Sequence, residues 1–253
     1  MKKQSPSLLA LSAFAATFAA PAGALEASRS WVSNTGSDAN ITCAITSPCR
    51  SFIGAHLNTS PGGEINCLNT GEYGPVTITK SITIKCLGAT GGIIATSGAA
   101  ITINAGASDT IVLDGLDIDG VGTGAYGVSV SSASKVTVVR TSIRNFAAYG
   151  IAMASGAAGG HMFVNDSFII GNAIGAGAAG SANILSLTNT SLLSNTVAAV
   201  QANVSGAVIG VQNSVLNDSP IGILRVPGAL VISVGPGNLV TGSGSFTNVA
   251  PYQ

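Results

Sequence analysis

Charge is scarce in this sequence: ten Lys plus Arg and ten Asp plus Glu among 253 residues come to 8 %. With no basic tract to neutralise a phosphate backbone, nucleic acid is not an expected partner. Aromatic residues make up only 5 %, with a single Trp at position 31, so a deep cleft walled by stacking rings is not expected either. Two histidines, His56 and His161, and four cysteines without a Cys-x-x-Cys pair leave a zinc site as the lesser reading. The apolar run from Leu8 to Ala20 is too short to cross a bilayer core that takes a helix of roughly 20 residues. No transmembrane span is therefore expected.

Gly, Ala, Ser, Thr, Asn, Val and Ile supply most of the chain. Short β-branched runs broken by Gly and Asn point to many strands joined by many turns. Ahead of them, Lys2 and Lys3, the apolar run and Ala22-Gly23-Ala24 read as the three regions of a secretory signal, with cleavage expected after Ala24. Removing Lys2 and Lys3 leaves eight basic against ten acidic residues, a slightly negative mature chain that is secreted or periplasmic. In such a compartment an even cysteine count favours two disulfides. Three pairings are open; the preferred one joins Cys43 to Cys49 and Cys67 to Cys86.

A repeat organises the rest. "TIVLDGLDIDG", "KVTVVRTSIRN", "HMFVNDSFIIGN", "NILSLTNTSLLSN", "AVIGVQNSVLND" and "LVISVGPGNLVTG" each carry an apolar pair two residues apart and an apolar follower. The pairs are Ile111/Leu113, Val136/Val138, Met162/Val164, Leu185/Leu187, Ile209/Val211 and Ile232/Val234, at intervals of 23 to 26 residues. The followers run from Ile118 and Ile143 through Leu216 to Leu239. A second column, Tyr126-Gly127-Val128, Tyr149-Gly150-Ile151 and their successors, keeps the same interval. Residues two apart in a strand share a face, so each pair points inward.

Leucine-rich repeats have similar periods, but here Val, Ile and Leu alternate freely and Gly-rich turns replace any helical stretch. The expected fold is all-β: a right-handed parallel β-helix, or solenoid, of about seven or eight coils with a short N-terminal capping α-helix. That helix is read from Ser47-Pro48 to about Leu57, with Phe52, Ile53 and Leu57 on one side and His56 as a surface or cap residue. The expected organisation is a signal over 1–24, a loop and capping helix over 25–60, the β-helix over 61–244 and a tail over 245–253.

The segment "PCRSFIGAHLNTSPGGEINCLNTGEYGPVTITKSITIKC" resembles the entry segment of pectate-lyase-like β-helix proteins. With the Cys43–Cys49 loop in front, it is most similar to small exported bacterial members of that superfamily that have no assigned activity. The resemblance implies the fold over nearly the whole mature chain and says little of chemistry. The Asn-Thr-Asp, Asp-Asp and Gly-His-Gly elements that mark polygalacturonases are not matched, and Gly159-Gly160-His161 has a different order. The Trp-Ile-Asp-His element of pectate lyases and the Gly-x-x-Asp-Phe segment of pectin methylesterases have no counterpart either.

Asp114, Asp117 and Asp119 crowd into "LDGLDIDG", with Arg140 and Arg144 one coil later. Together with His161 these are the candidate catalytic residues. Carboxylates beside a basic group are what β-elimination from a uronate needs: calcium or another cation to neutralise the substrate, and a base to take the proton. Counting along the repeat gives a plainer reading. Asp119 and Arg144 share one position, Arg140 and Asp166 another, so stacked coils about 4.8 Å apart pair each Arg with an Asp. The same position continues through Asn189 and Asn213 as an amide ladder. The sequence therefore predicts an exported, non-catalytic scaffold, surface-borne, adhesive or glycan-contacting, that takes no cofactor. The alternative is a calcium-dependent polysaccharide lyase, and the polymer, any activity and the oligomeric state stay open.

Overall fold

A computed structural model of the protein describes residues 27–154 and 159–250. The expected signal over 1–24 and the closing Pro251-Tyr252-Gln253 lie outside the described residues. One coil shows how the sequence makes the structure. Strand Lys135–Val139 buries Val136 and Val138 and turns Lys135 and Thr137 outward. The chain turns at Arg140, buries Ile143 in Ser142–Arg144, turns again at Asn145, and buries Ile151 and Met153 in Tyr149–Met153.

Repeating this unit stacks like strands on like. Among the described residues there are three parallel sheets of ten, eight and seven strands, and the seven-stranded one counts the complete coils. These run from Thr59–Cys67 to Ile221–Arg225, and Leu230–Val234 with Leu239–Val240 begin a partial eighth. The chain is thus a right-handed parallel β-helix, the hand that parallel crossovers take. Leu113, Val138, Val164, Leu187 and Val211 lie in register on five successive coils, each fully buried. Among the described residues no helix is long and apolar enough to cross a membrane.

The last coil departs from the expected frame. Val211 pairs with Ser233 and Leu216 with Val240, so Val231/Ser233 replace Ile232/Val234 as the inward pair, and Leu239 is half exposed. The extra residues of Gly235-Pro236-Gly237 shift the following strand. Asn238 then seats itself by accepting from Ser214 N–H at 2.9 Å and donating to Val211 C=O at 2.7 Å.

Five successive corners between the ten- and eight-stranded sheets are one or two residues long and pass through the left-handed region at Gly115, Arg140, Asp166, Asn189 and Asn213. Gly, Asn and Asp tolerate that conformation best, which is why the repeat keeps returning to them. The amide ladder forms there: Asn189 Nδ2 donates to Asp166 Oδ1 at 3.1 Å, and Asn213 Nδ2 to Asn189 Oδ1 at 2.5 Å. Two buried ladders run beside it. Thr141 N–H donates to Ser167 Oγ and Thr190 N–H to Ser214 Oγ; at the next corner Phe146 N–H donates to Asn172 Oδ1 and Asn172 N–H to Asn195 Oδ1. Corner amides that no strand can pair are satisfied in this way.

At the N-terminal end, Ala27–Val32 adds a strand to the ten-stranded sheet ahead of the helix, within a segment read as loop. The helix is Phe52–Asn58, shorter than expected, because Ser51 and not Ser47 caps it: Ser51 Oγ accepts from Gly54 N–H at 3.0 Å. Asp38 fixes this start by accepting from the N–H groups of Arg50 and Ser51 and from the Ser51 hydroxyl. Phe52 is buried against Tyr73, whereas Ile53 and Leu57 face solvent. Of its two readings, surface or cap residue, His56 takes the second: it is buried on the capping helix, and its Nε2 accepts from Thr79 N–H at 3.3 Å. Cys43 bonds to Cys49 and Cys67 to Cys86, each pair with Cα atoms 4.8 Å apart, and the second bridge ties adjacent coils.

Candidate functional site

The charged candidates come together on two coils. Asp114 closes Thr110–Asp114, and after Gly115 the strand Leu116–Asp119 alternates: Leu116 and Ile118 go inward, and Asp117 and Asp119 go outward. On the next coil Ser142 lies in register with Asp117 and Arg144 with Asp119. Arg144 therefore stands beside Asp119 and reaches along the strand to Asp117. Its Nε is 2.9 Å from Asp119 Oδ2, its Nη2 3.1 Å from Asp117 Oδ2, and its Nη1 bonds to Asp117 Oδ1. The planar guanidinium fork suits this two-carboxylate grip.

Asp119 Oδ1 is also taken, by Val121 N–H at 2.8 Å and Asn145 Nδ2 at 3.1 Å. Burial pushes the Asp119 carboxyl up, but these hydrogen bonds and Arg144 outweigh it and hold the group below the usual carboxylate range. The Asp117 hydrogen bond, against the opposing effect of burial, raises Arg144 above the ordinary guanidinium value. A general base works best with a pKa near the operating pH. Both shifts lead away from that range, so Asp119 and Arg144 are held ionised as a pair.

Arg140 behaves differently from the register expectation. It reaches back to Asp114, with Nη2 2.5 Å from Oδ2, and not to Asp166, which accepts from Asn189. The Asp114 side chain is almost wholly buried at the corner, so this pair does more than a fully exposed one could. His161 is elsewhere. It is exposed at the head of strand His161–Asn165 on the ten-stranded sheet, at the end away from the Arg140 corner, with its ring near Phe163. The structure thus places five of the six candidates on two adjoining coils in two sets, Arg140 with Asp114 and Arg144 with Asp117 and Asp119, and leaves out His161.

Calcium, which the lyase alternative needs, takes roughly six to eight oxygen ligands. Here Arg144 occupies Asp117 and one oxygen of Asp119, and Arg140 occupies one of Asp114, so a cation would have to displace guanidinium groups. Among the described residues no three His, Cys, Asp or Glu side chains are grouped to hold a metal ion. The residues do not fit calcium. The next coil offers Phe168 and Ile170 at the matching positions, so the charged patch ends after two coils, and the short corners raise no wall around it.

In the sequence, Tyr126 and Tyr149 stand out only as members of the second repeat column. The structure places them side by side on the outer face of the seven-stranded sheet, with ring centroids 6.0 Å apart.

No family model matches the sequence, and no curated protein does. The crystal structure of pectate lyase Pel9A is similar to this chain with a TM-score of 0.66 at 15 % identity, covering 87 % of this chain and 65 % of that one. The chain spans 65 % of that structure's length. At such low identity the likeness is one of architecture, and in architecture the chain is a parallel β-helix of the pectate-lyase kind.

Proposed function

We propose that the chain is an exported, non-catalytic β-helix scaffold that presents its outer faces at a surface and contacts glycans. The observation that carries this reading is Arg144, which holds Asp117 and Asp119 at once and so engages both acids from within the fold. The raised Arg144 and lowered Asp119 support it, because neither is a proton acceptor tuned for chemistry near neutrality. Export is supported by the Lys2-Lys3 leader composition and by two disulfides, which persist in oxidising compartments. The likeness of the entry segment to small exported bacterial β-helix proteins agrees with it.

The alternative is a calcium-dependent polysaccharide lyase built on Asp114, Asp117 and Asp119 with Arg140 or Arg144, and the observation in its favour is the fold shared with a pectate lyase. The two part under one assay. Purified protein is incubated with uronate polymers, with calcium and with chelator, and unsaturated product is followed by absorbance. The scaffold reading expects no product in either condition. Chelator-sensitive product that disappears in Asp117→Ala would overturn it.

A further inference from the structure

We propose that a trough on the seven-stranded sheet, floored by Ala152 and flanked by Tyr126 and by Tyr149, whose ring is seated over Gly177, binds a neutral oligosaccharide; this rests on the reading above that the chain contacts glycans. The trough follows from two neighbouring outward columns. In one, Ser129, Ala152, Gly177 and Gln201 stand in register on four successive coils, with the smallest side chains in the middle. In the other, Tyr126 and Tyr149 lie in register, their ring planes 11° apart.

Gly177 is what lets the rings lie as they do. A Cβ there would stand 2.7 Å from Tyr149 Cε1, so any side chain would push the ring off its seat. Laid forward over Gly177, the Tyr149 ring brings its hydroxyl to Gln201 Oε1 two coils on. That bond fixes both groups and leaves the Gln201 amide nitrogen and the phenol lone pairs for a ligand. Burial, and then the neighbouring Tyr126, pushes the Tyr149 phenol up, so it remains a neutral donor.

The cavity measures about 380 Å³ and draws its lining from four coils. At about 4.8 Å per coil it runs roughly 14 Å along the solenoid axis, which suits a short chain of sugars better than a single ring. A sugar offers an apolar C–H face to an aromatic ring and hydroxyls to amides, and here Tyr126 and Tyr149 stand beside Ser129, Gln201 and Asn203. None of the lining residues is charged. A uronate carboxylate would lose hydration with nothing to compensate it, so the ligand class is neutral.

The test titrates the full mature chain calorimetrically with cello-, manno-, galacto- and xylohexaose, and with hexagalacturonate. At least one neutral hexasaccharide is expected to bind, about tenfold more weakly in Tyr149→Ala and not measurably in Ala152→Glu, whose side chain projects into the trough. Asp117→Ala should bind as the parent does. Matching circular dichroism melts establish that the variants fold, and Tyr149→Phe, which keeps the ring, should retain most of the affinity. Binding that both Tyr149→Ala and Ala152→Glu leave unchanged would overturn the proposal. Hexagalacturonate binding lost in Arg144→Met but kept in Ala152→Glu would move the contact to the charged face, so this site would fail while glycan contact stands. Silence from all five oligomers at millimolar concentration would sink both.

Discussion

Two faces of one solenoid, built from the same coils, treat their polar groups in opposite ways. On the eight-stranded face Arg144 consumes the acids of the coil below it, so charge is spent on holding neighbouring coils together. Around the trough on the seven-stranded face the groups are uncharged, Tyr149 and Gln201 are only partly engaged, and small residues leave room beside them. The lesson is that the most conspicuous charges in a chain with few of them need not mark its site. Polar groups satisfied within the fold stabilise it, while those left half-satisfied beside a cavity are the ones that recognise a ligand.

Removing a charge tests this contrast most strongly. Arg144→Ala should cost about 1–3 kcal/mol, because it leaves two part-buried carboxylates facing each other without their cation, and a lowered urea midpoint would report it. The triple change Asp117→Asn, Asp119→Asn, Arg144→Leu should recover most of the loss. Tyr149→Phe on the other face should move the midpoint far less. Equal losses from Arg144→Ala and Tyr149→Phe would break the distinction.

Acid sharpens the same contrast with a smaller effect. The Asp119 carboxyl lies below its ordinary value when folded, so its contribution is fully present above the unfolded pKa of about 3.9 and is lost as pH falls through the folded one. Asp119→Asn should therefore be less stable than the parent at neutral pH, by about 1 kcal/mol or less, and the gap should close as pH falls below the unfolded value and through the lowered folded one. A gap that stays constant with pH would show that the charge is not responsible.

How much of this was legible in the sequence depended on whether a feature repeats. The inward column Leu113, Val138, Val164, Leu187 and Val211 and the exposed ladder from Asp166 to Asn213 recur at fixed intervals, and both stand where the repeat put them. The inward pair of the last coil is Val231/Ser233 and not Ile232/Val234 because that coil follows Ile209 and Val211 at 22 residues, one fewer than the shortest interval among the earlier copies, while Gly235-Pro236-Gly237 lengthens only the step to the follower. Arg140 was matched to Asp166 because position along the strand was counted without the direction of a long side chain at a left-handed corner, where it reaches back to Asp114. The tyrosine trough was hidden for another reason. Low overall aromatic content argues against a stacking cleft only if the rings are dispersed, and coil stacking brings two of the four tyrosines together.

The claim on which the account turns is that Arg144 and Asp117 exist for each other. A double-mutant cycle with Arg144→Met, Asp117→Asn and both together, read by denaturant unfolding at neutral pH, measures that coupling directly. The account predicts a coupling of about 1–2 kcal/mol, falling as salt is added. Additive losses, with a coupling indistinguishable from zero, would contradict it and return both side chains to the list of groups waiting for a substrate.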